Sequence, residues 1–179
     1  MNNIKLLAAL IAVFAPISAN ATDGTVTFNG KVTDKTCTIS TPGGKDFSVS
    51  LPTVSASSLN FWKTAGRTPF SINLTNCSPG NVATYFEPGP TVDRKTGFLI
   101  NQAPSGNHAQ MVQLQLLGSN NEVLRIVASG ANQAQDNSQW VTVAADGTAN
   151  LNYYVQYYGF PNVTPGEVKS SVKYTIIYN

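Results

Sequence analysis

Few residues in this chain could do chemistry, and they are scattered. His108 is its only imidazole, and it closes the run Pro104-Ser-Gly-Asn-His108, which reads as a solvated loop. A relay of serine, histidine and acid would need a nucleophile and a carboxylate held against that ring. No Gly-x-Ser-x-Gly or comparable context surrounds any serine. A metal centre needs several His, Cys, Asp or Glu side chains converging, and one histidine with two cysteines supplies too few. Cys37 and Cys77 could in principle form a redox couple, but catalytic dithiols sit as Cys-x-x-Cys beside a helix start. Asp93-Arg94-Lys95 reads as a loop tip. Trp62, Trp140 and the Tyr153-Tyr154 and Tyr157-Tyr158 pairs could stack on a sugar, although aromatics on strands more often pack within or upon a sheet. The expectation is a protein that is not an enzyme, with no catalytic residue, metal or cofactor.

The segment that precedes these residues addresses the chain for export. Lys5 gives residues 1–21 a positive start, Leu6 to Ala15 an apolar run, and Ala19-Asn20-Ala21 a small-residue cleavage site. That run is shorter than the roughly 20 residues of a membrane span. Residues 1–21 are therefore expected to be a cleaved signal peptide, and the rest is sized for a single domain. In an exported chain with one pair of cysteines, Cys37 and Cys77 are expected to form a disulfide. Lysine and arginine number 11 against 9 acidic residues, and charged residues make up only 11% of the chain. Such a balance excludes nucleic acid as a partner, because phosphate contact needs clustered basic side chains. The Asn73-Leu-Thr75 and Asn162-Val-Thr164 sequons read as coincidence in a bacterial product.

Short runs with a side-chain period of two follow one another between Gly, Pro and Asn punctuation. The expected strands are 25–33, 36–40, 46–51, 69–76, 82–86, 97–100, 112–117, 123–127, 140–143, 149–158 and 168–178. Gly118-Ser-Asn-Asn121 signals a hairpin. Residues 55–63 could hold at most one helical turn, and no longer stretch keeps a 3.6-residue period. The fold class is all-β, a sandwich with immunoglobulin-like packing.

The two ends of that sandwich stand out. Val172, Tyr174, Ile176 and Tyr178 place four apolar side chains on one face of the last strand, and the sequence offers no later segment to pair with it. Gly24, Val26, Phe28, Gly30 and Val32 alternate in the same way near the start of the expected mature chain. Both patterns resemble the pilin subunits of bacterial fimbriae built by the chaperone–usher route, in the type 1 fimbrial major subunit family. Tyr178 is penultimate, and Gly166 opens the final fourteen residues, as in that family's chaperone-recognition strand. Gly24 to Cys37 matches its amino-terminal donor strand. The stretches 65–77 and 85–90 resemble its second-cysteine region, especially in serotype-specific subunits of Bordetella type.

The resemblance implies an incomplete sandwich, the pilin fold, completed by a donor strand from a neighbouring subunit or a chaperone. It divides the chain into the signal peptide (1–21), a donor-strand extension (22–35) and a pilin domain (36–179). Gly24, Val26, Phe28, Gly30 and Val32 would form the donor strand, the two glycines facing narrow parts of the groove. Gly166, Val172, Tyr174, Ile176 and Tyr178 would belong to the chaperone-binding groove strand. Implied partners are identical or homologous pilin subunits in a head-to-tail polymer, a periplasmic chaperone, an outer-membrane usher and, through the fimbria, a host receptor. The product would pass through the periplasm to an extracellular fimbrium and support cell adhesion. A minor adaptor subunit and a carbohydrate-binding adhesin are the alternatives.

Overall fold

Alternation of apolar and polar side chains is realised as two sheets in the computed structural model, which describes residues 24–127, 135 and 138–179. The signal-peptide expectation for residues 1–21 lies outside the described residues. The polypeptide divides between Val32 and Thr33 into two units. In the first, residues 24–32 form no regular secondary structure.

Among the described residues, the second unit carries nine strands: β1 (Thr38–Ile39), β2 (Thr64–Thr75), β3 (Asn81–Phe86), β4 (Leu99–Ile100), β5 (Val112–Gly118), β6 (Val123–Leu124), β7 (Val141–Thr142), β8 (Ala149–Gly159) and β9 (Tyr174–Tyr178). One helical turn, α1 (Ala56–Leu59), precedes β2. The larger sheet runs β1-β2-β8-β5-β4, with β6 also paired to β5, and the smaller runs β7-β3-β9. Every ladder is antiparallel. Two sheets facing one another across a shared apolar core make the sandwich that the strand pattern predicts.

The core forms where the inward faces meet. Ile72 and Leu74 of β2, Val82 and Phe86 of β3, Leu114 and Leu116 of β5, and Leu151, Tyr153 and Val155 of β8 form one buried cluster. Tyr153 lies at its centre, its ring edge-on to Phe86 at 5.2 Å and tilted against Phe70 at 5.6 Å. β5 is buried on both faces. Its outward Gln115 accepts a hydrogen bond from Gln156, and Gln113 donates to Asp93, so the polar face is buried but paired. Gln135 acts as a substitute strand, accepting from the Phe86 amide and donating to the Phe86 and Val127 carbonyls.

Two differences from the expected strands have local causes. β2 starts five residues before the expected Pro69, because Gly66 at φ +68 allows a register shift between Ala65 and Thr68, after which the ladder to β8 resumes. Pro69 is tolerated there because β1 covers only the far end of β2. The last strand is confined to Tyr174–Tyr178 instead of starting at 168. Its partner β3 ends at Phe86, the Glu87 amide makes one further bond to the Lys173 carbonyl, and Pro88 has no amide to continue. The Gly118–Asn121 hairpin is present as expected, the Asn121 amide donating back to the Gly118 carbonyl.

Cys37 and Cys77 are joined in a disulfide across a sequence separation of 40, tying the entry of β1 to the exit of β2. Replacing both cysteines by serine is expected to lower unfolding free energy by about 4 kcal/mol in the chain-entropy picture. Urea denaturation of the variant and the parent measures this. Thr84 is fully buried and its hydroxyl has no partner among the described residues. Thr84→Val removes that unsatisfied group at nearly constant volume, and is expected to raise stability by about 1 kcal/mol in the same assay.

Candidate functional site

The smaller sheet ends abruptly. β9 is bonded to β3 on one side, and among the described residues no strand pairs with it on the other. An open edge presents a row of unpaired amides and carbonyls. Here it also presents apolar side chains, for Val172, Tyr174, Ile176 and Tyr178 are all half-buried against the main core rather than sealed within it.

A second unpaired segment faces this edge. Phe47, Val49 and Leu51 point in turn toward the same core while Ser48 and Ser50 face outward. This is strand-like alternation, yet no ladder or bridge joins residues 46–51 to any described strand. The Phe47 ring meets Tyr174 edge-on at 6.5 Å, and the Tyr174 hydroxyl donates to the Lys45 carbonyl at 2.8 Å. Farther along, Thr53 and Val54 line a cavity of about 580 Å³ together with Val168 and Lys169. With Phe47 beside Tyr174 and Val54 opposite Val168, the two segments run antiparallel. They are two banks of a groove with an apolar floor and unpaired backbone on both sides. It offers main-chain donors and acceptors above apolar surface.

The structure places the sequence-predicted residues as follows. Tyr174, Ile176 and Tyr178 lie on β9, and Val172 leads into it. Tyr178 also anchors one end of the groove, because its hydroxyl accepts a hydrogen bond from the Cys37 amide at 3.1 Å. Lys35 Nζ donates to the Asn179 carbonyl at 2.7 Å. Gly166 lies outside β9, at a bend lining the cavity. A Cβ on Gly166 would fall 2.4 Å from the Ala109 amide nitrogen and the His108 carbonyl carbon. Its glycine is therefore required by close backbone approach, a different reason from strand membership. In the first unit, Val26, Phe28 and Val32 are 75%, 89% and 98% exposed, and Gly24 and Gly30 have open space around them.

The sequence pattern predicts a strand at 46–51 but does not assign it to the site. The signal was available in the period-two spacing of Phe47, Val49 and Leu51. His108 differs from expectation too. The tip Pro104–Asn107 is exposed, but His108 is drawn inward by a parallel bridge to Glu167, with Nδ1 buried and unpartnered. Among the described residues, no group of three His, Cys, Asp or Glu side chains is placed to hold a metal. Of the aromatics, Tyr153 is buried, while Trp62 remains mostly exposed beside Phe160 and Tyr158.

A family model described as FimA: Type-1 fimbrial protein, A, matches residues 51–179. The major fimbrial subunit SMF-1 of Stenotrophomonas maltophilia (strain K279a) is 71% identical over 166 residues, spanning 92% of this chain and 98% of that protein. The serotype 2 fimbrial subunit of Bordetella pertussis (strain Tohama I) is 33% identical over 198 residues, with 97% and 94% covered. In fold, a chain from the solved structure of a chaperone–usher pilus is similar with a TM-score of 0.60 at 23% identity. That likeness covers 92% of this chain and 100% of the other.

Burial, and secondarily the charge of Asp46, hold the Tyr174 hydroxyl above the usual tyrosine value. A raised acid in the folded state means that the unfolded chain releases its proton first as pH climbs. The stability tied to Tyr174 is thus complete below the ordinary tyrosine range and lost as pH rises through the folded value. Tyr174→Phe is expected to flatten the alkaline decline in stability, as read by urea denaturation at a series of alkaline pH values.

Proposed function

Because this chain belongs to the type-1 fimbrial protein family, we propose that it polymerises by lending its amino-terminal arm to the groove of the next copy. The chain is a structural subunit of a bacterial fimbria and not an enzyme, and its place is the extracellular fimbria. The mode of assembly is our reading. Residues 1–21 act as the export signal, 22–35 as the donor extension and 36–179 as the pilin domain. Gly24–Val32 adds as a strand between residues 46–51 and β9. In the periplasm a chaperone occupies the groove first, and an outer-membrane usher presents it to the incoming arm. The relative that is named a major fimbrial subunit supports a place in the shaft over an adaptor position.

One observation carries this reading: two unpaired backbones border an apolar floor in a chain whose exposed arm carries the complementary alternation. Burying Val26, Phe28 and Val32 would contribute about 1.5–3 kcal/mol each. Each backbone hydrogen bond adds about 1 kcal/mol. Such a contact completes a core rather than docking one finished surface on another, so it dissociates slowly. Because the arm and groove are different surfaces of one molecule, the contact is head-to-tail and generates a filament.

Appending a copy of residues 22–35 after Asn179 through a flexible linker is expected to give a soluble monomer with a raised unfolding midpoint. Size-exclusion chromatography and denaturation measure the two effects. If the unmodified mature chain is an equally stable monomer without a chaperone, the groove is not an acceptor. Phe28→Asp in the native arm is expected to abolish filaments in electron micrographs while leaving the pilin domain folded.

A further inference from the structure

Asn29-Gly30 is the only Asn-Gly pair in the chain, and it lies at the centre of the exposed arm. Both residues are exposed, neither belongs to a strand or turn, and open space surrounds the Gly30 α-carbon. Glycine leaves its own amide nitrogen sterically unhindered and its backbone freely rotatable. That nitrogen is therefore free to reach the Asn29 side-chain carbonyl. We propose that Asn29-Gly30 is a self-modification site, open to succinimide formation in the unassembled subunit and closed by assembly.

The reaction needs only water. The Gly30 amide nitrogen gives up its proton and attacks Cγ of Asn29. A C–N bond forms, the Cγ–Nδ2 bond breaks, and ammonia leaves carrying the proton. Water then opens the five-membered ring at either carbonyl. Attack at Cγ leaves aspartate in a normal backbone. Attack at the backbone carbonyl leaves isoaspartate, in which the main chain runs through Cβ and Cγ. Either product exchanges an amide for a carboxylate and adds a negative charge.

Another glycine in the same chain shows what prevents this reaction. Asp146-Gly147 has the same spacing, but the Gly147 amide is bonded to the Ala144 carbonyl at 2.9 Å. Asp146 Oδ1 is engaged by the Thr148 amide at 3.0 Å and the Thr148 hydroxyl at 2.7 Å. Nucleophile and electrophile are each occupied. A strand seated between residues 46–51 and β9 would have ladder partners on both sides, so the Gly30 amide would be bonded in any register. Extended pleated geometry would also hold Asn29 Cγ away from it.

The consequence follows from the period of the strand. Isoaspartate inserts a backbone carbon between Phe28 and Gly30, which acts as an enforced bulge in the middle of the arm. Val32 and the Val26–Phe28 pair then cannot enter the groove in one register. A subunit that waits too long before assembly loses its capacity to donate, whereas an assembled one is protected. This consequence rests on the strand-lending reading above; the chemistry of the free arm does not.

The test uses purified unassembled mature subunit and intact fimbriae from cells, kept in the same mildly alkaline buffer. Isoaspartate is read by enzymatic methyl labelling and by mass analysis of the tryptic peptide ending at Lys31. Labelling of the free subunit is expected to exceed that of fimbriae by about tenfold or more, as befits protection by a closed ladder. Asn29→Gln should abolish the deamidated form of that peptide, because glutamine would have to close a larger ring. Any label formed at Asp23-Gly24 of the same peptide carries no loss of ammonia and is told apart by mass. Aged free subunits should be depleted from filaments grown from a mixture with fresh ones. Absence of label in the free subunit overturns the site and leaves strand lending intact. Equal labelling of free and assembled protein overturns the gating and counts against strand lending, although the chemistry stands. Equal incorporation of aged and fresh subunits overturns the functional consequence.

Discussion

A β-strand satisfies its backbone only through neighbours, and in this sandwich one neighbour is missing. Among the described residues, β9 is paired to β3 alone, while residues 46–51 join no ladder. The side chains below them, Phe47, Val49, Leu51, Tyr174 and Ile176, are only half-covered. Unpaired amides above exposed apolar surface form an arrangement that a soluble domain ordinarily avoids. A strand laid between the two segments would pair both backbones and cover that apolar surface together.

The remainder of the domain is built to hold that gap open. The larger sheet is continuous from β1 to β4, and its central strands β8 and β5 are long and well buried. Phe70, Tyr153 and Phe86 lock the two sheets together through edge-on and tilted ring contacts. The Cys37–Cys77 disulfide and the hydrogen bond from the Cys37 amide to the Tyr178 hydroxyl tie the start of β1 to the ends of β2 and β9. The chain carries few charged side chains, and the surface along β9 and residues 46–51 is correspondingly apolar.

Most strands were legible because their signal is local. The runs at 82–86, 112–117 and 149–158 show alternation bounded by turn residues, and each appears close to its expected limits. What escaped depended on partners distant in sequence. The bulge at Gly66 is visible only against β8, and the early start of β2 follows from it. The inward turn of His108 reflects its bridge to Glu167. Gly166 was noticed for its position, yet its physical role is contact with the backbone of His108 and Ala109, which no pattern within residues 160–179 encodes.

From its sequence alone, the chain specified an all-β class, one cysteine pair, the apolar face of its last strand and an alternating arm, since all of these are written in residue type and a period of two. Family membership was legible for the same reason. Only tertiary structure decided that residues 46–51 form the second bank, that the groove runs antiparallel between them and β9, and that it ends in a cavity beside Gly166. Those facts concern which backbone edges lack a partner. An absent hydrogen bond leaves no mark in a sequence, because it is defined by everything the rest of the chain does not place there.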